Sequence, residues 1–268
     1  MLHKKPGFGH DMVFLTVGVC PARHGAAIMC DKCGCSDTTL RRHDHASASA
    51  HGHAYAHTHE AAELSHNDRL AERNRGFFLA KRVFVVNLLS FSGSGAHAFV
   101  ERTVADYGQR RCVKAVTPDF LESIHASHDH HAAVAASNEN IHLDAHGIAH
   151  ALAHLDLDQT DVVLLENGGS AASQAVYDLG ASARVALFSV RDGEFKPLKF
   201  PLFFDGVAAV VINEIDQIAA TRFDLAKARA HVAQVAPDAQ VLEVASATGA
   251  GMEAWYAFLD AGVKQAKA

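Results

Sequence analysis

Four groups of side chains have the types and spacing to do chemistry. The first is Cys30-Asp-Lys-Cys33-Gly-Cys35. Thiolates this close can all turn toward one soft or borderline metal ion, and loose reactive thiols are the alternative. The second is the run 41–66, where His43, His45, His51, His53, His57, His59 and His66 are spaced by Ala, Ser and Gly. Imidazole is the commonest side-chain metal ligand, so this run reads as a metal reservoir or buffer. An incidental tract with nonspecific metal affinity is the alternative. The third is His142, His146, His150 and His154, recurring every fourth residue. Neighbours at i, i+4 share one helix face, so at least one pair is expected to hold a metal ion, against the alternative of a merely solvated face.

The fourth group is Ser90-Phe-Ser-Gly93-Ser94-Gly95-Ala96-His97. It follows a β-branched and aliphatic run, 83–89, broken only by Asn87, and precedes a segment, 96–107, that can run as a helix. Strand, glycine turn, helix is the geometry of a phosphate cradle. Backbone N–H groups of residues 93–96 and the positive helix end would face an anion. A working loop of this kind ends Gly-Lys-Ser/Thr, where Lys reaches the outer phosphates and the hydroxyl holds Mg²⁺. Here those two places are Ala96 and His97.

These groups need elements to position them. Apolar runs at 83–89, 112–116, 161–166, 184–190, 206–212 and 240–245 read as strands buried on both faces. Helical segments are expected at 64–82, 96–107, 140–155, 223–235 and 252–265. The alternation predicts an α/β domain with a doubly wound, mainly parallel sheet. Ligands bind beyond the carboxyl ends of such strands. Those ends carry Asp119 in the expected loop Thr117-Pro-Asp119, then Glu166-Asn167, Asn213-Glu-Ile-Asp216 and Ser246-Ala247. Residues 192–201 read as a Pro-punctuated loop and 123–140 as a loose His-bearing stretch. The run 41–66 has too few aliphatics to offset its ordering entropy and is expected to lack structure. The chain thus divides into a Cys/His-rich tail, 1–66, and an α/β domain, 67–268.

The totals agree with metal handling. Among 268 residues there are 20 His against one Trp and four Tyr. Hydrophobic residues make up 49%, enough for a substantial core, and the formal charge of −6 with no basic block argues against nucleic acid. Of the five Cys, the three clustered ones read as metal ligands rather than a disulfide frame, while Cys20 and Cys112 stand alone. No stretch reaches the roughly 18 apolar residues of a membrane span. Lys4-Lys5 followed by the apolar run 12–20 has the outline of a signal peptide, but it is short and flanked by His10 and Asp11. A cytoplasmic protein is expected, with Met29 as an alternative first residue.

Taken together, the loops resemble those of the hydrogenase nickel-incorporation GTPase family, HypB. The carrying stretches are Met29-Cys-x-x-Cys-Gly-Cys35, the His-rich tail, His142-Leu-Asp-Ala145, Glu166-Asn167, Tyr177-Asp-Leu-Gly180, Lys196-Pro-Leu-Lys-Phe-Pro201, Asn213-x-x-Asp216 and Trp255-Tyr256. The resemblance runs from residue 29 to about residue 262. It implies a P-loop G domain of the SIMIBI type behind a tail with a tight nickel site on Cys30, Cys33 and Cys35. It also implies a nickel metallochaperone that works with hydrogenase maturation proteins and the hydrogenase large subunit. GTP·Mg²⁺ would drive dimerisation and metal transfer. Asn213 and Asp216 would read guanine. A second nickel or zinc site would lie near the dimer interface, on a Cys-His pair and a loop Cys.

The departures fall at working positions. Besides Ala96 and His97, Ile141 stands for the Cys of the Cys-His pair, leaving His142. Ser173 or a neighbour stands for the loop Cys, and Glu214 for the Lys of Asn-Lys-x-Asp. Phe-Leu-Glu follows Asp119 where the family has Gln and Thr. Phosphoryl transfer is almost wholly positioning and charge stabilisation, so losing Lys and the Mg²⁺ ligand removes on the order of 10³-fold in rate. The expectation is a member that keeps the fold and metal capture, with GTP binding and hydrolysis weakened or lost. Partnership with an intact paralogue, or a homodimer, is the expected assembly. An active GTPase is the competing reading.

Overall fold

The computed structural model describes residues 52–128 and 143–268. Cys30, Cys33, Cys35 and His142 lie outside the described residues. The described chain runs α1 (Gly52–Lys81), β1 (Phe84–Ser90), α2 (Ala96–Tyr107), β2 (Val113–Val116), α3 (Pro118–His128), α4 (Ala145–Leu152), β3 (Val162–Asn167) and α5 (Ala171–Val176). It continues with β4 (Ala183–Ser189), α6 (Lys196–Lys199), α7 (Pro201–Phe204), β5 (Ala209–Asn213), α8 (Ile218–Thr221), α9 (Leu225–Val235), β6 (Gln240–Glu243) and α10 (Met252–Lys267).

All six strands are parallel, in the order β2-β3-β1-β4-β5-β6. The runs are largely apolar because both faces of the sheet are covered; the buried Asn87 in β1 is satisfied by Asn167 Nδ2, which donates to its Oδ1 at 3.3 Å. Along β1, Phe84, Val86 and Leu88 join one core with α2 and α10, built on Phe99, Trp255 and Leu259. Val85 turns to the other face, against Phe78 of α1 and Ile148 of α4. On that same face Phe188 and Ile212 pack with Phe203, Phe204 and Val232. The chain winds to either side of β1, so the carboxyl end of β1 is the switch point where such sheets bind ligands. The glycine turn sits there.

Four expectations are corrected. The helix expected at 64–82 reaches back to Gly52, so residues 52–66 of the supposedly structureless run are helical backbone. Ala and Glu are strong helix formers, and an anchored helix propagates into them at little cost. Thr117-Pro-Asp119 is not a loop: Pro118 opens α3, and Thr117 Oγ1 accepts from the Phe120 N–H at 3.2 Å. A capping hydroxyl followed by Pro at the first helical position is a helix start. The helix expected over 140–155 is shorter, with Asp144 as its N-cap, and His154 falls beyond its end. The Pro-punctuated stretch 192–201 contains α6 and leads into α7, each with Pro in its first turn.

Candidate nucleotide and metal site

The glycine turn is held from three sides. Gln174, 1% exposed on α5, accepts from the Ser90 N–H at 2.8 Å and donates to the Ser90 carbonyl at 2.9 Å. Ser94 N–H closes the turn on the Phe91 carbonyl at 3.1 Å. Asn213, at the end of β5, donates from Nδ2 to the Ser94 carbonyl at 3.0 Å and accepts from the Ser246 N–H at 3.2 Å. Gly93 and Gly95 have φ of 79° and 77°. A Cβ on Gly95 would stand 2.8 Å from Asn213 Nδ2, so glycine is required there twice over. Among the described residues no side chain caps α2, whose first N–H groups face the mouth of the turn, and buried Ser94 Oγ has no hydrogen-bond partner. The backbone is therefore a formed anion cradle.

What surrounds the cradle is acidic. His97, on the first turn of α2, lies with Nδ1 3.3 Å from Glu166 Oε2 and Nε2 3.4 Å from Glu101 Oε1. Burial pulls its imidazole down, but Glu166, Glu101 and Asp119 more than offset this and hold it above its ordinary 6.5. Burial pushes the Glu166 carboxyl up, with His97 opposing. Glu214 sits in the left-handed region at φ 61°. Its carboxylate accepts from Ser189 Oγ and lies 3.3 Å from Arg191 Nε. Glu214 Oε1 comes within 3.9 Å of the Cβ position on Gly95. Where a working site has a Lys stem along the nucleotide, this chain fixes a carboxylate.

The structure thus brings together Gly93, Ser94, Gly95, Ala96, His97, Asp119, Glu166, Asn213 and Ser246 at one sheet end. Asp216 and Ala247 are exposed on the same rim, and Asp216 is engaged by Gln217 Nε2 at 3.0 Å. Gln174, Ser189 and Arg191 were not singled out in the sequence. Ser173 hydrogen-bonds back to Ser170 through its own Oγ at 2.9 Å. Among the described residues, no three His, Cys, Asp or Glu side chains converge as a metal cage. His146 and His150 approach each other, with Nε2 atoms 3.0 Å apart.

Two predictions arise here. Gln174→Ala strands the buried Ser90 N–H and carbonyl, so urea unfolding is expected to show a loss of about 1–3 kcal/mol. A loss below about 0.5 kcal/mol would mean the clamp contributes nothing. The raised His97 gives stability that is full below 6.5 and disappears as pH rises through its higher folded-state value. The ring is 60% exposed, so the effect is small and screened. His97→Ala is expected to flatten the melting temperature against pH above 6.5 while leaving the profile below pH 5 parallel. An unchanged slope would show that the Glu166 contact does not persist in solution.

The fold and the cradle define a P-loop-type G domain. The chain belongs to the hydrogenase maturation factor HypB family. It is 35% identical over 201 residues to hydrogenase maturation factor HypB of Azotobacter vinelandii, covering 74% of this chain and 66% of that protein. The crystal structure of HypB from Archaeoglobus fulgidus superposes with a TM-score of 0.63 at 31% identity, over 74% of this chain and 98% of that one. HypB from Helicobacter pylori, solved in complex with nickel, superposes with a TM-score of 0.64 at 24% identity, over 75% and 96%. The chain spans about two thirds of the A. vinelandii relative. No family model matches it.

Proposed function

We propose that the chain is a nickel-binding accessory protein of [NiFe]-hydrogenase maturation, in which GTP binding and hydrolysis have been weakened or lost. The observation that carries this is the acid collar. Ala96 supplies no charge, His97 is engaged by two carboxylates, and Glu214 is pinned beside Gly95. A triphosphate entering this cradle meets backbone N–H groups but three nearby carboxylates, two facing His97 and one facing Arg191, with no Lys at position 96 and no hydroxyl for Mg²⁺ at position 97. Membership of the HypB family supports the maturation role, and the nickel complex of the H. pylori protein supports nickel as the cargo.

Capture rests on Cys30, Cys33 and Cys35, with His142 as a further donor in the domain and zinc as the competing ion. The partners are other maturation proteins and the hydrogenase large subunit, in the cytoplasm. The assembly is a homodimer or a pair with an intact paralogue. Among the described residues no helix is long and apolar enough to cross a membrane. Calorimetry of Ni²⁺ binding tests the capture step. One tight equivalent is expected, and it disappears when the three Cys are changed to Ser. Retention of that equivalent in the Ser variant would contradict the assignment to the thiols.

A further inference from the structure

We propose that His146 and His150 form a two-imidazole chelate for a borderline divalent cation, Ni²⁺ or Zn²⁺, on the solvent side of α4. Two nitrogens each 2.0–2.1 Å from one metal ion, at angles between 90° and 109°, lie about 2.9–3.4 Å from each other. The two Nε2 atoms are 3.0 Å apart. The rings stand nearly perpendicular, at 75° with centroids 4.5 Å apart. The donor atoms already have the spacing of neighbouring ligands; on binding, the one Nε2–H proton moves to Nδ1 of its own ring through solvent, so that both rings stay neutral and each presents an Nε2 lone pair.

The backbone beneath is fixed, so little order is lost on binding. Asp144 Oδ1 accepts from the Gly147 N–H at 2.7 Å and caps the helix. Ala145, Ile148 and Ala151 are fully buried on the opposite side. Two residues of α1 grip the first turn: Asn67 Oδ1 accepts from the Ala145 N–H at 2.9 Å, and Asn74 Nδ2 donates to the Ala145 carbonyl at 2.9 Å. A chelate on a pre-ordered helix loses less entropy than one in a free chain.

Imidazole selects Ni²⁺, Cu²⁺ and Zn²⁺ over the oxygen-seeking Mg²⁺ and Ca²⁺. His146 is exposed, so the remaining coordination positions open to water or to the donors of an acceptor. Closed structural sites use four protein ligands, whereas a two-ligand site exchanges its metal. The pair therefore fits a transfer point rather than a store. It is independent of Cys30, Cys33 and Cys35, and stands or falls apart from the nucleotide reading.

The test combines location with solution behaviour on the full chain. Crystals soaked in NiCl₂ are expected to give an anomalous peak at the nickel edge between the two Nε2 atoms. In solution, Ni²⁺ and Zn²⁺ are expected to slow amide exchange over residues 145–152 severalfold, and Mg²⁺ to leave it unchanged. His146→Asn, at an exposed position that should leave folding intact, is expected to abolish both the peak and the protection. His150→Asn is expected to do the same. Absence of the peak overturns the proposal. So does a peak without protection, which would mean binding at crystal concentration only. Protection that survives in His146→Asn overturns it as well.

Discussion

Ala96→Lys/His97→Thr is expected to raise GTP hydrolysis by about 10³-fold over the unaltered chain. The cradle for this gain already exists. The turn is clamped by Gln174, Ser94 and Asn213, and both glycines hold positive φ. What is missing is the charge that neutralises the outer phosphates and the oxygen that holds Mg²⁺. The two substitutions supply both without altering the backbone. The second of them also removes the imidazole from between Glu166 and Glu101, freeing Glu166 to face the metal. Glu214 would still oppose the nucleotide, so adding Glu214→Lys is expected to improve GTP affinity further. Steady-state phosphate release measures the effect. If the double variant were no faster than the parent, the loss of activity would lie elsewhere than in Ala96 and His97.

Trp255→Ala is expected to be the most damaging single change to stability, at about 3–5 kcal/mol. Trp255 is fully buried at the centre of the α2–α10 core. Its ring lies 5.0 Å from Phe99 and 5.5 Å from Phe258, and Nε1 donates to Thr103 Oγ1 at 3.0 Å. Thr103 Oγ1 in turn donates to the Phe99 carbonyl at 2.7 Å. Truncation leaves a large cavity in contact with α2, the helix whose first turn forms the cradle. A domain of this size should lose on the order of 10 °C in melting temperature. Trp255→Phe keeps most of the volume and should cost about half as much or less. A loss below about 1.5 kcal/mol for Trp255→Ala would show that the two helices hold together without this ring.

The sheet was legible because burial on both faces leaves little room for polar side chains. Residues 83–89 and 161–166 announce strands by that means alone, and each lies within one residue of the observed element. The cradle was legible because only glycines tolerate its backbone, and Gly93 and Gly95 stand where positive φ is needed. The absent Lys and hydroxyl were equally plain in Ala96 and His97. Helix extents were not: α1 carries no apolar stripe to mark where it begins, and the stripe of α4 is built largely of Ala, which marks its limits weakly. That is why α1 ran longer and α4 shorter than expected. Pro concealed three starts, at Pro118, in α6 and at Pro201 of α7, by resembling loop punctuation. Gln174 and the Ser189–Glu214–Arg191 group depend on residues 84, 25 and 23 positions apart meeting across strand ends, which no local pattern records.

The most direct test is calorimetric titration of GTP·Mg²⁺ into the unaltered full chain at neutral pH and physiological salt. The acid collar and the missing Lys predict no saturable heat at nucleotide concentrations up to about 100 μM, corresponding to binding no stronger than about −5.5 kcal/mol. A saturable isotherm with a micromolar or tighter dissociation constant would contradict the account.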